Sequence, residues 1–91
     1  MYPLIWDEPF REGYQEWMKA HPRYAGISRE RIRLLASDPF HPSLKTHQLS
    51  GRLTGMYAAR ITLELRIIFR LTPDPDPSLI LIGFADHTEV F

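Results

Sequence analysis

The sequence predicts an α+β domain in which a short N-terminal strand and a helical hairpin precede a twisted antiparallel β-sheet of three to four strands. Three observations carry that expectation: helical spacing of apolar residues in the first forty positions, a period-two alternation over residues 57–71, and an apolar run at residues 79–84. Ninety-one residues hold one modest core, so residues 1–91 form a single domain.

Residues 1–6 are apolar and fit a short edge strand, because Pro3 cannot donate to a ladder on both sides. Asp7 then offers an N-cap and Pro9 tolerates the first helical turn, after which Phe10, Tyr14, Trp17 and Met18 recur on one helical face. The helix ends near Ala20, because the residue before Pro22 is driven out of the helical region. Ser28 is the expected cap of a second helix, with either Ile27, Leu34 and Leu35 or Ile32 and Leu35 supplying its apolar stripe and Arg29, Glu30, Arg31 and Arg33 facing water. Asp38-Pro39 ends it, and the pair folds as an antiparallel hairpin over one face of the sheet. Trp6 and Trp17 read as core.

Residues 41–53 read as an extended segment and a turn at Ser50-Gly51. From 57 to 71 the odd positions are apolar, and the even ones include Arg60, Glu64, Arg66 and Arg70. A strand of that length exceeds the roughly 3 to 10 residues usual in globular proteins, so the segment must fold back near its middle. A two-residue loop would turn Arg66 into the core, whereas a three-residue loop at 62–64 keeps the alternation and sets Ile61 against Leu65 and Arg60 against Arg66. Like charges directly opposite destabilise a strand pair, so this register points to an anion between the two arginines. An acidic, proline-rich connector at 73–77 then leads to the last, central strand.

The formal net charge is zero, but its distribution is uneven. Residues 41–71 carry Lys45, Arg52, Arg60, Arg66 and Arg70 against Glu64 alone, while residues 72–91 hold four acids and no Lys or Arg. The middle of the chain is a basic island suited to a phosphate-bearing partner. The absence of cysteine excludes a disulfide framework and a thiolate metal site. The N-terminus has no secretory pattern and no apolar run approaches the ~18 residues of a membrane span, so the expected location is the cytoplasm.

His47 precedes the hairpin and His87 follows the last strand, whereas His21 and His41, each before a proline, read as punctuation. Histidine exchanges protons near neutral pH. RNA is cut by its own 2′-hydroxyl when a base removes that proton, an acid protonates the leaving 5′-oxygen, and cations stabilise the phosphate charge between. Two histidines and the arginines meet those needs without a cofactor, with Glu64 as an alternative proton acceptor. Phe91 can stack on a base or close the core.

The stretch DPFHPSLKTHQLSGRLTG at 38–55, with LRIIF at 65–69 and the terminal HTEVF, resembles the RelE/ParE toxin superfamily, and most nearly its RelE/StbE, YafQ-type branch. The resemblance implies a RelE-like fold and an mRNA interferase, the toxin of a type II toxin-antitoxin module, which enters the ribosomal A site and cleaves the message without a metal. It also implies a cognate antitoxin partner, with a toxin-antitoxin heterotetramer as one assembly open to the pair. Carried over residue by residue, the functional places of the branch fall on His47, Arg60, Glu64, His87 and Phe91. Joined with the basic island, they give His47, Arg60, Glu64, Arg66 and His87 as the catalytic candidates and Lys45, Arg52, Arg70 and Phe91 as the RNA-binding ones. Relatives often carry an arginine on the last strand where this chain has Gly83. That departure, with the neutral net charge, opens a second reading: a non-catalytic toxin of the same fold, such as a ParE-like gyrase binder, that retains antitoxin binding.

Overall fold

The computed structural model describes residues 1–63, 65–73 and 76–85. Strand β1 (Leu4–Trp6) leads into helix α1 (Glu8–Ala20), a 3-10 turn at Pro22–Tyr24 and helix α2 (Ala25–Ser37). Strands β2 (His47–Gln48), β3 (Tyr57–Arg60), β4 (Arg66–Leu71) and β5 (Leu79–Ala85) follow, with further 3-10 turns at Pro42–Leu44 and Gly51–Leu53. The sheet order is β1-β5-β4-β3-β2. The four strands after the helices are antiparallel as expected, and β1 adds a fifth at the edge, parallel to β5.

The period-two segment folds as its alternation requires. The Ile61 N–H donates to the Leu65 carbonyl at 2.8 Å and Arg60 pairs with Arg66, so three residues separate the paired positions. Thr62 closes this turn, its Oγ1 accepting from the Leu65 N–H at 2.9 Å. Ala59, Ile61, Leu65, Ile67 and Phe69 are thereby buried on one face with Leu79 and Leu81 of β5, and Phe10, Trp17, Ile32 and Leu35 of the helices cover them. Each such side chain contributes about 1.5–3 kcal/mol when buried. Trp6, Phe10 and Tyr14 form an aromatic cluster with ring centroids 5.5–5.8 Å apart, which locks α1 onto the N-terminal strand.

Several local expectations change. Asp7 stands at the N-cap of α1 but its side chain makes no capping hydrogen bond. Helix α2 begins at Ala25 rather than after Ser28, because the 3-10 turn from Pro22 runs directly into it. Ser28 is fully buried: it shares a 2.6 Å hydrogen bond with the Tyr14 hydroxyl and its own hydroxyl reaches the Ala25 carbonyl at 3.1 Å. Ile27 lies outside the stripe, 40% exposed. Arg31 does not simply face water: it is half-buried, and its Nη1 donates to the Ser43 hydroxyl at 3.0 Å and the Ser43 carbonyl at 3.4 Å. The segment 41–53 is extended only at β2, with its turn after Ser50; its start, Pro42–Leu44, is coiled instead, because Pro42 fixes a helical φ and His41 Nδ1 accepts from the Ser43 N–H at 3.1 Å.

The Ser28–Tyr14 pair is the polar link between the two helices, and a buried hydroxyl stripped of its partner carries the full desolvation penalty. Ser28→Ala and Tyr14→Phe are each expected to lower stability by about 1–2 kcal/mol in urea unfolding. The double substitution should cost less than the sum of the two, because each single change already breaks the shared bond.

Candidate functional site

The site is built on the sheet face turned away from the helices. Paired residues of adjacent strands share a face, so His47 beside Ala58, Arg60 beside Arg66, and Ile68 beside Gly83 lie together on it. Arg60 and Arg66, both half-buried, are directly opposed at the hairpin end. The face is not uniformly solvated: Ala58 and Ile68 between these cations are 3% and 4% exposed. At about 3.3 Å of rise per residue and ~4.8 Å between strands, His47 is about 8 Å diagonally from Arg60, whereas Arg70 is about 13 Å along β4 from Arg66. Exposed Arg70 is therefore on the right face but outside the cluster.

Lys45 and His47 are delivered by one backbone device. Lys45 ends the 3-10 turn with φ 49°, the left-handed region that a non-glycine residue rarely adopts, and this reversal throws the chain into β2. His47 Nδ1 lies 3.3 Å from the Lys45 carbonyl. A carbonyl only accepts, so in the neutral ring this contact puts the proton on Nδ1 and leaves Nε2 as the acceptor. Both side chains are exposed. Arg52, in the turn at Gly51–Leu53, is exposed as well and stands apart from the arginine pair in the ladder.

Among the described residues, the one ion pair is Lys19 with Glu16, on the surface of α1, so neither Arg60 nor Arg66 has a carboxylate partner there. The Arg60 Nε is buried and has no hydrogen-bond partner. Two guanidinium groups opposed across a strand pair, with no carboxylate partner among the described residues, favour an anion beside them. Gly83 faces Ile68 on the same side, and a Cβ added there would meet nothing within 4 Å, so the place left without an arginine is open rather than filled by another group. No group of three or more potential metal ligands occurs among the described residues. Glu64, His87 and Phe91 lie outside the described residues.

Arg31, Ser43 and His41 went unremarked as functional candidates. Arg31 sits in a run of charged residues indistinguishable from a solvated helix face, and only tertiary packing brings it beside the hairpin. His41-Pro42-Ser43 did hold a local signal, since a polar side chain before proline is well placed to cap a short turn.

The chain is 31% identical over 84 residues to the toxin YoeB of Escherichia coli K12, a match covering 92% of this chain and 96% of that protein. Toxin YoeB of Shigella flexneri matches to the same extent. No family model matches. Among solved structures, the chain is similar to a YoeB/ParE toxin from Agrobacterium tumefaciens, with a TM-score of 0.76, 26% identity, and 93% of this chain and 98% of that one covered. YafQ from E. coli superposes with a TM-score of 0.75 at 16% identity, covering 96% and 94% of the two chains. A chain of the YoeB-YefM complex from Staphylococcus aureus superposes with a TM-score of 0.71 at 17% identity, covering 96% and 98%.

The opposed arginines predict a measurable conflict between stability and function. Arg66→Gln should raise the urea midpoint, by about 0.2–1 kcal/mol of added stability, because it removes a like-charge pair. The advantage should shrink as NaCl rises and screens the wild-type repulsion. A variant no more stable than wild type at low salt would mean that the pair is already compensated.

Proposed function

Because this chain belongs to the RelE/YoeB-type toxin superfamily, we propose that it is the toxin of a type II toxin-antitoxin pair and acts in the cytoplasm as an endoribonuclease, cutting mRNA in the ribosomal A site. The observation that supports this most directly is the pair Arg60–Arg66, opposed in register without a described carboxylate partner and on the same face as His47.

In this reading a 2′-hydroxyl attacks the adjacent phosphorus as His47 or Glu64 takes its proton, and the P–O5′ bond breaks as His87 protonates the leaving oxygen. The products are a 2′,3′-cyclic phosphate and a 5′-hydroxyl. His47 suits the base role because its Nδ1 is engaged by the Lys45 carbonyl and Nε2 is left to accept. Arg60 and Arg66, with Lys45 at the edge, stabilise the charge on the phosphorane oxygens. Arg52 and Arg70 hold the flanking strand and Phe91 stacks on a base. A positioned base is worth roughly 10²–10⁴ in rate, and an oxyanion donor roughly 10²–10³.

The decisive experiment is controlled expression with mapping of new mRNA 5′ ends. Wild type should arrest growth and produce codon-phased cuts, and the His47→Ala, His87→Ala double variant should produce none. Gly83→Arg meets no obstacle at its Cβ and should cut at least as fast as wild type. Growth arrest without new cuts would instead select the non-catalytic reading, which the missing arginine at Gly83 favours.

The YoeB-YefM complex supports a cognate antitoxin for this chain too. An apolar groove of about 590 Å³ between β1 and the helices, lined by Tyr2, Leu4, Trp6, Met18 and Ile32, contains Arg29 and Arg33 and no carboxylate. Its chemistry suits an acidic amphipathic segment of that antitoxin. Arg29→Glu with Arg33→Glu should weaken binding of the antitoxin encoded beside this gene at least tenfold by calorimetry, and an unchanged affinity would move the docking surface elsewhere.

A further inference from the structure

Strand β2 pairs with β3 only at Tyr57 and Ala58, so beyond Ala58 the outer edge of β3 has no neighbouring strand. Beside that edge the turn at Pro42–Leu44, helix α2 and the β3–β4 turn enclose a cleft of about 240 Å³. Arg31, Ser43 and Arg60 line it with Ile61, Thr62 and Leu63, and none of the six is acidic. Arg31 of α2 and Arg60 of β3, from different layers of the fold, thus line one small concavity.

Neither arginine is used up by the fold. The contacts of Arg31 with Ser43 engage Nη1 alone, one nitrogen of a fork that carries five N–H donors. Ser43 is itself held in place, its hydroxyl 2.8 Å from His41 Nδ1 and accepting from Arg31, so the chain His41–Ser43–Arg31 fixes the position of the guanidinium. The buried Arg60 Nε lacks a partner. A buried donor with no acceptor carries a desolvation penalty that a bound oxyanion would relieve, and a planar fork matches a tetrahedral oxyanion.

We infer that this cleft is a second phosphate subsite, in which Arg31 and Arg60 hold an internal phosphodiester of single-stranded RNA next to the one that is cut. The inference rests on the nuclease reading for its substrate and shares Arg60 with it, Arg60 lying between the two phosphates, so Arg31 is the residue that belongs to the subsite alone. Arg31 acts here as a positioning residue: it fixes the strand's register across the edge of β3 and leaves the proton transfers to other groups.

The test uses the full chain and a short fluorescent 2′-O-methyl RNA, which has no free 2′-hydroxyl and cannot be cut by this chemistry. Arg31→Gln should bind it roughly tenfold more weakly, the loss of one charge-assisted contact. The slope of log K against log salt should fall by about 0.7, the value for one phosphate contact on a single strand. Arg23→Gln, in the exposed turn just before α2, should change neither quantity, and Arg31→Lys should keep the slope but lose affinity, because a point charge replaces the fork. Equal behaviour of Arg31→Gln and Arg23→Gln would overturn the proposal. Should Arg31→Gln not fold, the wild-type Arg60 Nε–H resonance decides: it should shift saturably with the 2′-O-methyl strand and with inorganic phosphate, and not with chloride at equal ionic strength. A shift with inorganic phosphate alone would make the cleft a small-anion site and overturn the assignment to RNA. Because the probe cannot be cut, the two readings fail separately: Arg31-dependent binding by a chain that makes no cuts sinks the nuclease alone, and cutting without Arg31-dependent binding sinks the subsite alone.

Discussion

Three residues between Ile61 and Leu65 set the register of β3 against β4, and through it the character of both faces of the sheet. Side chains alternate along a strand, so a slip of one position would carry Ile67 and Phe69 into water and Arg66 into the core. The cost of that slip is several buried side chains at about 1.5–3 kcal/mol each, plus an unpaired buried guanidinium. The same energy that fixes the core therefore fixes Arg60 opposite Arg66. The cationic pair does not choose its position; the apolar residues between and around it do.

The helix layer answers to that register. Phe10 and Trp17 of α1 and Ile32 and Leu35 of α2 fill the face presented by β3, β4 and β5, and Ser28 with Tyr14 joins the helices where a purely apolar contact would have left a buried hydroxyl unpaired. The N-terminus is tied down at two points, by the Tyr2 N–H to the Ala36 carbonyl at 2.8 Å and the Leu79 N–H to the Pro3 carbonyl at 2.9 Å. Strand β1 thus closes the sheet against the end of α2 and shapes the groove flanked by Arg29 and Arg33.

What the sequence made legible follows from range. The alternation over residues 57–71 and the spacing of Phe10, Tyr14 and Trp17 are local periodicities, and the elements they imply are present with the register they require. The start of α2 was misplaced because Ser28 has the composition of a cap, while its role is set by Tyr14, fourteen positions earlier in the chain. Arg31 was placed in water for the same kind of reason: its tether to Ser43 spans twelve positions and leaves no trace in helical spacing. At the site, the arginine pair could be read from pattern, but its shared face with His47 rests on the β2–β3 register, and the orphaned Arg60 Nε and the cleft beside it depend on residues of three separate elements.

The open place at Gly83 changes how the phosphate charge has to be met. With no side chain there, β5 brings no cation opposite Ile68, and the positive charge nearest the hairpin comes from Arg60, Arg66 and the cleft residue Arg31. All three stand toward the β3 side of the sheet, as does His47, whereas Arg70 lies about 13 Å from Arg66 along β4. An RNA strand bound by these groups has to run along the β3 edge and the hairpin end rather than across the middle of the sheet. Zero net charge is compatible with binding such a strand, because two or three half-buried cations would act on a few phosphates at close range, whereas the zero total is felt only at distances that salt already screens.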